Sequence, residues 1–299
     1  IRDFCLSRGL GYVYKRQYLE ALTTAKYIIN NSTFPAYFTK KPNQVYVNTW
    51  HGTPIKAMGL DVEDNLVGSQ NIIKNFLSSD ILISPNPHTT EVFKRAFSLK
   101  GLYNGDLAEI GYPRIDLTLN SDKKAVHKRL KQSGLKLKKK KTLLFAPTWR
   151  GTNVNQPEDS VADVYEMVQQ LEKQTDYQVI VKVHPFVYRT ALKYKELKPY
   201  LVPDAFDTNE LLGAVDLLVT DYSSIFFDYL VTDQPIVFYA PDYEDYHSDR
   251  GLYIETDLLP GPSVYNVEDL VSAVNAAEDN EAVYRDKYAR FKSLYVPYE

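Results

Sequence analysis

The chain predicts an α/β fold with parallel sheets, and two observations predict it. Short apolar runs of strand length alternate with segments of helical period through most of the 299 residues. Where four of these runs end, polar residues suited to holding phosphate follow at once. Strands alternating with helices at this spacing imply right-handed crossovers, which bring the strands' carboxyl ends to one edge of a sheet. No repeat of solenoid spacing and no Gly-x-Gly-x-x-Gly element is present, so the dinucleotide fingerprint is excluded.

In order along the chain, residues 18–27 read as a helix, followed by a short strand at Ile28-Ile29. The run Val45-Tyr46-Val47 with Asn48 is the next strand. A helix over 69–77 leads into the apolar strand Ile81-Leu82-Ile83. Asn86-Pro87 then opens a helix with Val92, Phe93 and Phe97 spaced for one buried face. The strand at 108–110 runs into Gly111-Tyr112-Pro113-Arg114, a turn by its glycine and proline. Residues 116–141 read as the boundary between two domains, with Lys136 and the run Lys138 to Lys141 as a solvated basic linker. Their alternative use is contact with an anionic membrane surface or a polyanionic product. Beyond it, strands are expected at 142–145, 179–183, 217–219 and 236–238. Helices are expected at 161–172, 209–215, 225–231 and 267–277, with a further helix at the carboxyl end.

Composition narrows the classes. Hydrophobic residues make up 44% and charged residues 24%, the balance of a soluble globular protein. A formal net charge of -3 argues against nucleic acid as a partner. No apolar run approaches the roughly 20 residues needed to span a bilayer, and no secretory signal is evident. The single cysteine, Cys5, excludes an intramolecular disulfide and a multi-cysteine metal site. The chain therefore reads as cytoplasmic, and the sequons at Asn30 and Asn31 as chance matches. Most of the 24 tyrosines are expected in the core or half-buried. Residues 5–17 lack a clear period and resemble a translated sequencing adapter. Residues 1–17 are accordingly set aside as a non-native leader.

The four polar strand ends are Trp50-His51-Gly52-Thr53, Ala146-Pro147-Thr148-Trp149-Arg150-Gly151, Lys182-Val183-His184-Pro185 and Thr220-Asp221-Tyr222-Ser223-Ser224. The first reads as a strand-to-helix turn carrying a base, His51, and a cation, Lys56. Arg150 offers a planar fork to phosphate oxygens. His184 can donate to an anion or sit beside one as imidazolium. Ser223 and Ser224 are expected at a helix N-terminus, where N–H groups and the dipole favour a phosphate. Together they make a diphosphate site with few carboxylates for a metal. His88, His127 and His247 read as surface residues outside it.

The order Trp50-His51-Gly52-Thr53-Pro54-Ile55-Lys56, Pro147-Thr148-Trp149-Arg150, His184-Pro185 and Thr220-Asp221-Tyr222-Ser223-Ser224 with Phe227-Asp228 resembles the CDP-glycerol glycerophosphotransferase family. These are the teichoic acid primases and polymerases of Gram-positive bacteria. The resemblance implies a GT-B-like fold, two Rossmann-like domains with parallel sheets facing across a cleft. It places a partial acceptor-side domain at 18–125, whose natural start lies upstream, and a CDP-glycerol-binding domain at 126–299.

It also implies His51 as catalytic base, with Arg150, His184, Ser223 and Ser224 on the donor diphosphate. His184 is a second catalytic candidate, able to protonate the departing CMP. Gly52, Thr53, Lys56, Pro185, Asp221 and Asp228 complete the expected substrate-binding set, Lys56 steering an anionic acceptor. The implied partners are CDP-glycerol and a lipid-linked glycerol phosphate or teichoic acid acceptor. That acceptor implies a peripheral position at the inner face of the membrane. No cofactor is implied; the absence of Asp-x-Asp argues against a metal-clamped diphosphate, and metal dependence stays open. CDP-ribitol in place of CDP-glycerol, a GT-B nucleotide-sugar glycosyltransferase or epimerase, and a non-catalytic cell-wall assembly module are the competing readings.

Overall fold

The structure, a computed structural model, describes residues 10–148, 158–241 and 251–298. Its chain falls into two compact units. The first comprises residues 1–51, 59–84 and 90–110, and the second residues 52–58, 85–89 and 111–299.

The first unit carries helix α1 (Leu10–Thr24) and strands β1 (Tyr27–Asn30) and β2 (Val45–Asn48). Helix α2 (Leu66–Ser78), strand β3 (Ile81–Ser84), helix α3 (Pro87–Ala96) and strand β4 (Asp106–Glu109) follow, the opening residues of α3 grouping with the second unit. The strands pair in the order β1-β2-β3-β4, all parallel, with Tyr27 opposite Val45 and Ile81 opposite Asp106. Helix α1 begins inside the stretch that sequence reading set aside for want of a period. Good helix formers from Lys15 to Ala21 make extension cheaper than a fresh start, because nucleation is the costly step.

Behind β2 lies an aromatic cluster in which Trp50 packs edge-on against Phe76, centroids 5.0 Å apart, and against Phe93 and Phe97. Polar groups are buried beside it and satisfied there. Asn48 donates from Nδ2 to the Ser32 carbonyl and the Tyr46 hydroxyl, both at 2.9 Å, and its Oδ1 accepts from the Trp50 N–H at 2.9 Å. The Tyr46 hydroxyl passes the chain on to Asn75 at 3.2 Å. Burial pushes that phenol up to about 12, so it stays a neutral donor.

The second unit opens with α4 (Ile115–Leu119) and α5 (Lys123–Gln132). It continues through β5 (Thr142–Ala146), α6 (Glu158–Gln174), β6 (Gln178–Val181), α7 (Pro185–Ala191), α8 (Thr208–Leu212) and β7 (Leu217–Thr220). Then come α9 (Ile225–Tyr229), β8 (Ile236–Tyr239), β9 (Ser263–Val264), α10 (Val267–Asn275) and α11 (Ala277–Tyr295). Five parallel strands lie in the order β6-β5-β7-β8-β9. Every residue of β5, β6 and β7 is buried, as expected of strands covered by helices on both faces. The chain winds to one side from β5 to β6 and to the other from β7 onward. The switch point therefore lies at the carboxyl ends of β5 and β7, where such sheets hold ligands.

The stretch 116–141, read as the boundary between two domains, carries most of α4 and all of α5. Asp122 caps α5 by accepting from the Lys124 and Ala125 N–H groups, and Val126 and Leu130 are buried four residues apart. Its lysines are drawn into ion pairs with the surrounding helices and turns. Lys138 meets Glu172 at 3.1 Å, Lys141 meets Glu278 at 2.5 Å and Lys140 lies 4.0 Å from Asp176. Among the described residues no helix is long and apolar enough to cross a membrane.

Replacing Asn48 with alanine strips two buried groups, the Tyr46 hydroxyl and the Trp50 N–H, of a partner, and the part-buried Ser32 carbonyl as well. The expected loss is about 3 kcal/mol of stability, since each orphaned buried group costs about 1–3 kcal/mol before relaxation. Urea denaturation checks it: the midpoint should fall with the slope unchanged.

Candidate functional site

The turn after β2 is built around a strained residue. Trp50 takes φ of 51°, a left-handed conformation that costs a side-chain-bearing residue about 1–2 kcal/mol. The buried aromatic cluster and the Asn48 hydrogen bond hold it there. The next residue, His51, is exposed, with its ring centroid 4.1 Å from that of Trp50. Its Nδ1 lies 2.8 Å from the Asn31 carbonyl oxygen. A carbonyl can only accept, so Nδ1 carries the proton and the lone pair of the neutral ring is at Nε2.

Sequence reading expected the chain to enter a helix here, and it does not. Residues 52–58 run as a ribbon within the second unit. Lys56 forms an antiparallel bridge to Leu252, the Tyr253 N–H donates to the Ile55 carbonyl, and the Ala57 N–H donates to Gly251. Pro54 disfavours helical geometry in Thr53 and removes a donor, which suits an extended path. Lys56 is half-buried. Thr53 is buried, and its hydroxyl accepts from Asn86 at 3.2 Å. Gly52 is where close approach matters. A β-carbon there would lie 2.6 Å from Ser224 Oγ and 4.0 Å from Arg114 Nη2.

At the switch point, β5 ends in Pro147-Thr148 and β7 in Thr220-Asp221. Asp221, buried, accepts the Thr148 N–H at 3.0 and 3.1 Å and its hydroxyl at 2.7 Å, tying the two strand ends together. Trp149 and Arg150 lie outside the described residues, as does His247. After β6, Lys182 donates to the Phe206 carbonyl at 2.9 Å, and burial lowers its pKa. His184 follows, and Pro185 opens α7, a position where its missing N–H has no partner to lose. Partial burial pulls the His184 imidazole below its ordinary value, with the Asp204 carboxylate opposing. A cavity of about 720 Å³ is lined by Pro147, Thr148, His184 and Asp221 among others.

Ser223 and Ser224 precede α9 as expected, but α9 is a single short turn of helix that gives way to a 3-10 turn at Leu230–Thr232. Its dipole is correspondingly small, so the serine hydroxyls and not the helix must carry any anion binding. Ser223 Oγ accepts from the Ile225 N–H at 3.4 Å, and Ser224 makes no side-chain cap. Asp228, expected among the substrate-binding residues, faces inward. Its two oxygens take Arg114 Nε at 2.7 Å and Nη2 at 3.0 Å, and Asn209 adds a longer bond of 3.3 Å.

Arg114 escaped sequence reading, although its setting carried the signal used elsewhere: a strand end, then glycine, proline and a cation. It was read only as a turn. His88 and His127 are half-buried, not surface residues. Each reaches a backbone carbonyl, Pro54 and Ala214 respectively. Among the described residues no group of three or more His, Cys, Asp or Glu side chains is placed to hold a metal.

Residues 7–299 match the family described as CDP-glycerol:poly(glycerophosphate) glycerophosphotransferase. A teichoic acid poly(glycerol phosphate) polymerase of Bacillus spizizenii is 33% identical over 89% of this chain and 70% of its own length. The polymerase of that description from Bacillus subtilis is also 33% identical over 89% of this chain, which spans only 37% of that longer protein. The solved structure of the wall teichoic acid polymerase TagF superposes with a TM-score of 0.79 at 28% identity, covering 95% of this chain and 71% of that one. The two parallel-sheet α/β units are those of a GT-B-like fold. On the family match across nearly all of its length, the chain belongs to the CDP-glycerol glycerophosphotransferase family.

Proposed function

We propose that this chain moves glycerol phosphate from CDP-glycerol to a hydroxyl of a lipid-linked teichoic acid acceptor, releasing CMP, with His51 as general base. The observation that carries the role of His51 is its hydrogen bond to the Asn31 carbonyl, which leaves the basic lone pair at Nε2. The acceptor oxygen attacks the β-phosphorus and its proton passes to Nε2. The new O–P bond forms as the bond from that phosphorus to the bridging oxygen breaks, and CMP departs with the electron pair. A hydroxyl is a poor nucleophile at neutral pH, so a positioned base contributes about 10²–10⁴-fold.

In this reading the second unit holds the donor. Ser223 and Ser224 offer hydroxyls to the diphosphate, and Arg150 and His184 offer charge. His184 starts out neutral and takes up a proton when the diphosphate arrives, which fits it to assist the leaving CMP. Gly52 lets Ser224 pack against the turn, and Lys56 draws in a polyanionic acceptor. Thr53, Pro185, Asp221 and Asp228 act by holding the turns that carry these groups. A lipid-linked acceptor places the enzyme peripherally at the inner membrane face, in the cytoplasm.

CMP release from CDP-glycerol, with a lipid-linked glycerol phosphate primer, tests the reading. His51→Gln should cut kcat by about 10²–10⁴-fold with little change in KM, as for loss of a group acting only in the transition state. Turnover of CDP-ribitol or a UDP-sugar, with none of CDP-glycerol, would sink it.

A pH series tests His184. The group starts depressed and rises on binding an anion, so binding takes up a proton. Affinity for CDP-glycerol should therefore strengthen as pH falls through the ordinary histidine range near 6.5. Calorimetry on His184→Gln should show a flat profile; a wild-type profile already flat would remove the role.

A further inference from the structure

Residues 123–141 hold ten of the chain's 35 Lys and Arg and none of its 38 Asp and Glu. Their partners divide these cations into two sets. Lys123 meets Asp216, Arg129 meets Glu210 and lies over the Phe206 ring, and Lys138 and Lys141 meet Glu172 and Glu278. Lys124, Lys128 and Lys131 are exposed and have no carboxylate partner among the described residues. Spacings of four and three residues set them in one row on α5, about 6 and 4.5 Å apart along its axis. Val126 and Leu130 are buried on the opposite side, so the row faces solvent. Lys124, His127, Lys128, Lys131 and Gln132 line one shallow depression there.

Folding does not ask for this arrangement. Like charges one turn apart repel, and Lys124 stands in the first turn, where the helix dipole disfavours a cation. Burial lowers the His127 imidazole, and Lys123 and Lys131 lower it further, against the Ala214 carbonyl and Asp216. The apolar side of α5 is spent on the core, which leaves this face no large apolar group to enter a bilayer. A row of cations in a depression fits a linear chain of anions better than a plane of lipid head groups.

The row also lies away from the diphosphate turns. Asp216, just before β7, pairs with Lys123 and accepts the N–H of Thr142, the first residue of β5, at 2.8 Å. His127 Nε2 lies 3.1 Å from the Ala214 carbonyl oxygen. Helix α5 is thus fastened at the amino ends of these strands, roughly 15 Å along them from the carboxyl ends. One glycerol phosphate cannot touch both places, but a chain of them can.

We propose that Lys124, Lys128 and Lys131 form a secondary site for the phosphodiester chain of the acceptor, retaining a long chain while its end reacts. The inference rests on the glycerol phosphate reading above and adds to it a site whose use depends on acceptor length.

The test uses the full chain, with calorimetric binding of poly(glycerol phosphate) oligomers and CMP release from CDP-glycerol on short and long primers. Lys124→Gln, Lys128→Gln and Lys131→Gln together remove the row, keep helix propensity and break no ion pair, so the melting temperature should hold. Affinity for a long oligomer should fall about 10²-fold at low salt, about fivefold for each lysine taken from a polyanionic contact. Added salt should shrink that loss. With a long primer KM should rise while kcat stays, and with a single-unit primer neither should move. Lys138→Gln, Lys140→Gln and Lys141→Gln together remove the same charge from paired lysines and should cost less than about fivefold.

No CMP release by wild type on either primer overturns the functional reading and this inference with it. Active wild type that binds long and single-unit oligomers equally overturns the inference alone. Equal losses in the two triple variants also overturn it, because net charge and not the row would then hold the chain. So does wild type that prefers phosphatidylglycerol vesicles to long oligomers through the same three lysines, which would assign the row to the bilayer.

Discussion

Parallel pairing is the constraint on which the rest of this molecule depends. In a parallel sheet every strand ends at the same edge, so residues far apart in sequence meet there without any long-range design beyond the crossovers. In the second unit this brings Thr148, His184 and Asp221 to one edge from three separate strands. Because β5, β6 and β7 are buried on both faces, nothing polar is tolerated along their length apart from the paired Thr142, Gln178 and Thr220. Polarity is thereby displaced to the strand ends, which is where a ligand can use it.

The buried carboxylates show how that edge is kept in shape. An ionised group out of water is costly unless fully bonded, and Asp221 and Asp228 are each bonded to structural partners. Asp221 joins the turns after β5 and β7, and Asp228 holds Arg114. The acids act as fixed anchors, and the groups they hold are donors. The diphosphate site proposed here is served by this division, since a free carboxylate aimed at the ligand would repel it.

Much of this was legible before the coordinates. β2, β3, β5, β7 and β8 stand within a residue of their expected positions, because an apolar run between turn signals has few other uses in a soluble chain. The polar strand ends were legible for the related reason that hydroxyls, histidines and glycines rarely cluster there by packing need alone. What escaped reading was whatever depended on partners distant in sequence. Residues 138–141 looked like a solvated linker because the carboxylate partners of Lys138 and Lys141, Glu172 and Glu278, lie 34 and 137 residues away. Arg114 looked like a turn residue because Asp228 is 114 positions downstream. Residues 52–58 looked like the start of a helix because their antiparallel partner, Leu252, lies in another part of the chain.

The strain at Trp50 belongs to the same account. A tryptophan in a left-handed conformation persists only where surrounding contacts outweigh its cost, and the edge-on contacts with Phe76, Phe93 and Phe97 supply them. Next to it the ring of His51 is exposed while the indole stays buried. The Asn31 carbonyl then selects the tautomer. A carboxylate in that place would also orient the ring, but it would add a negative charge beside the proposed base. A carbonyl orients the imidazole without that charge, which suits the role proposed for His51 towards phosphate-bearing substrates.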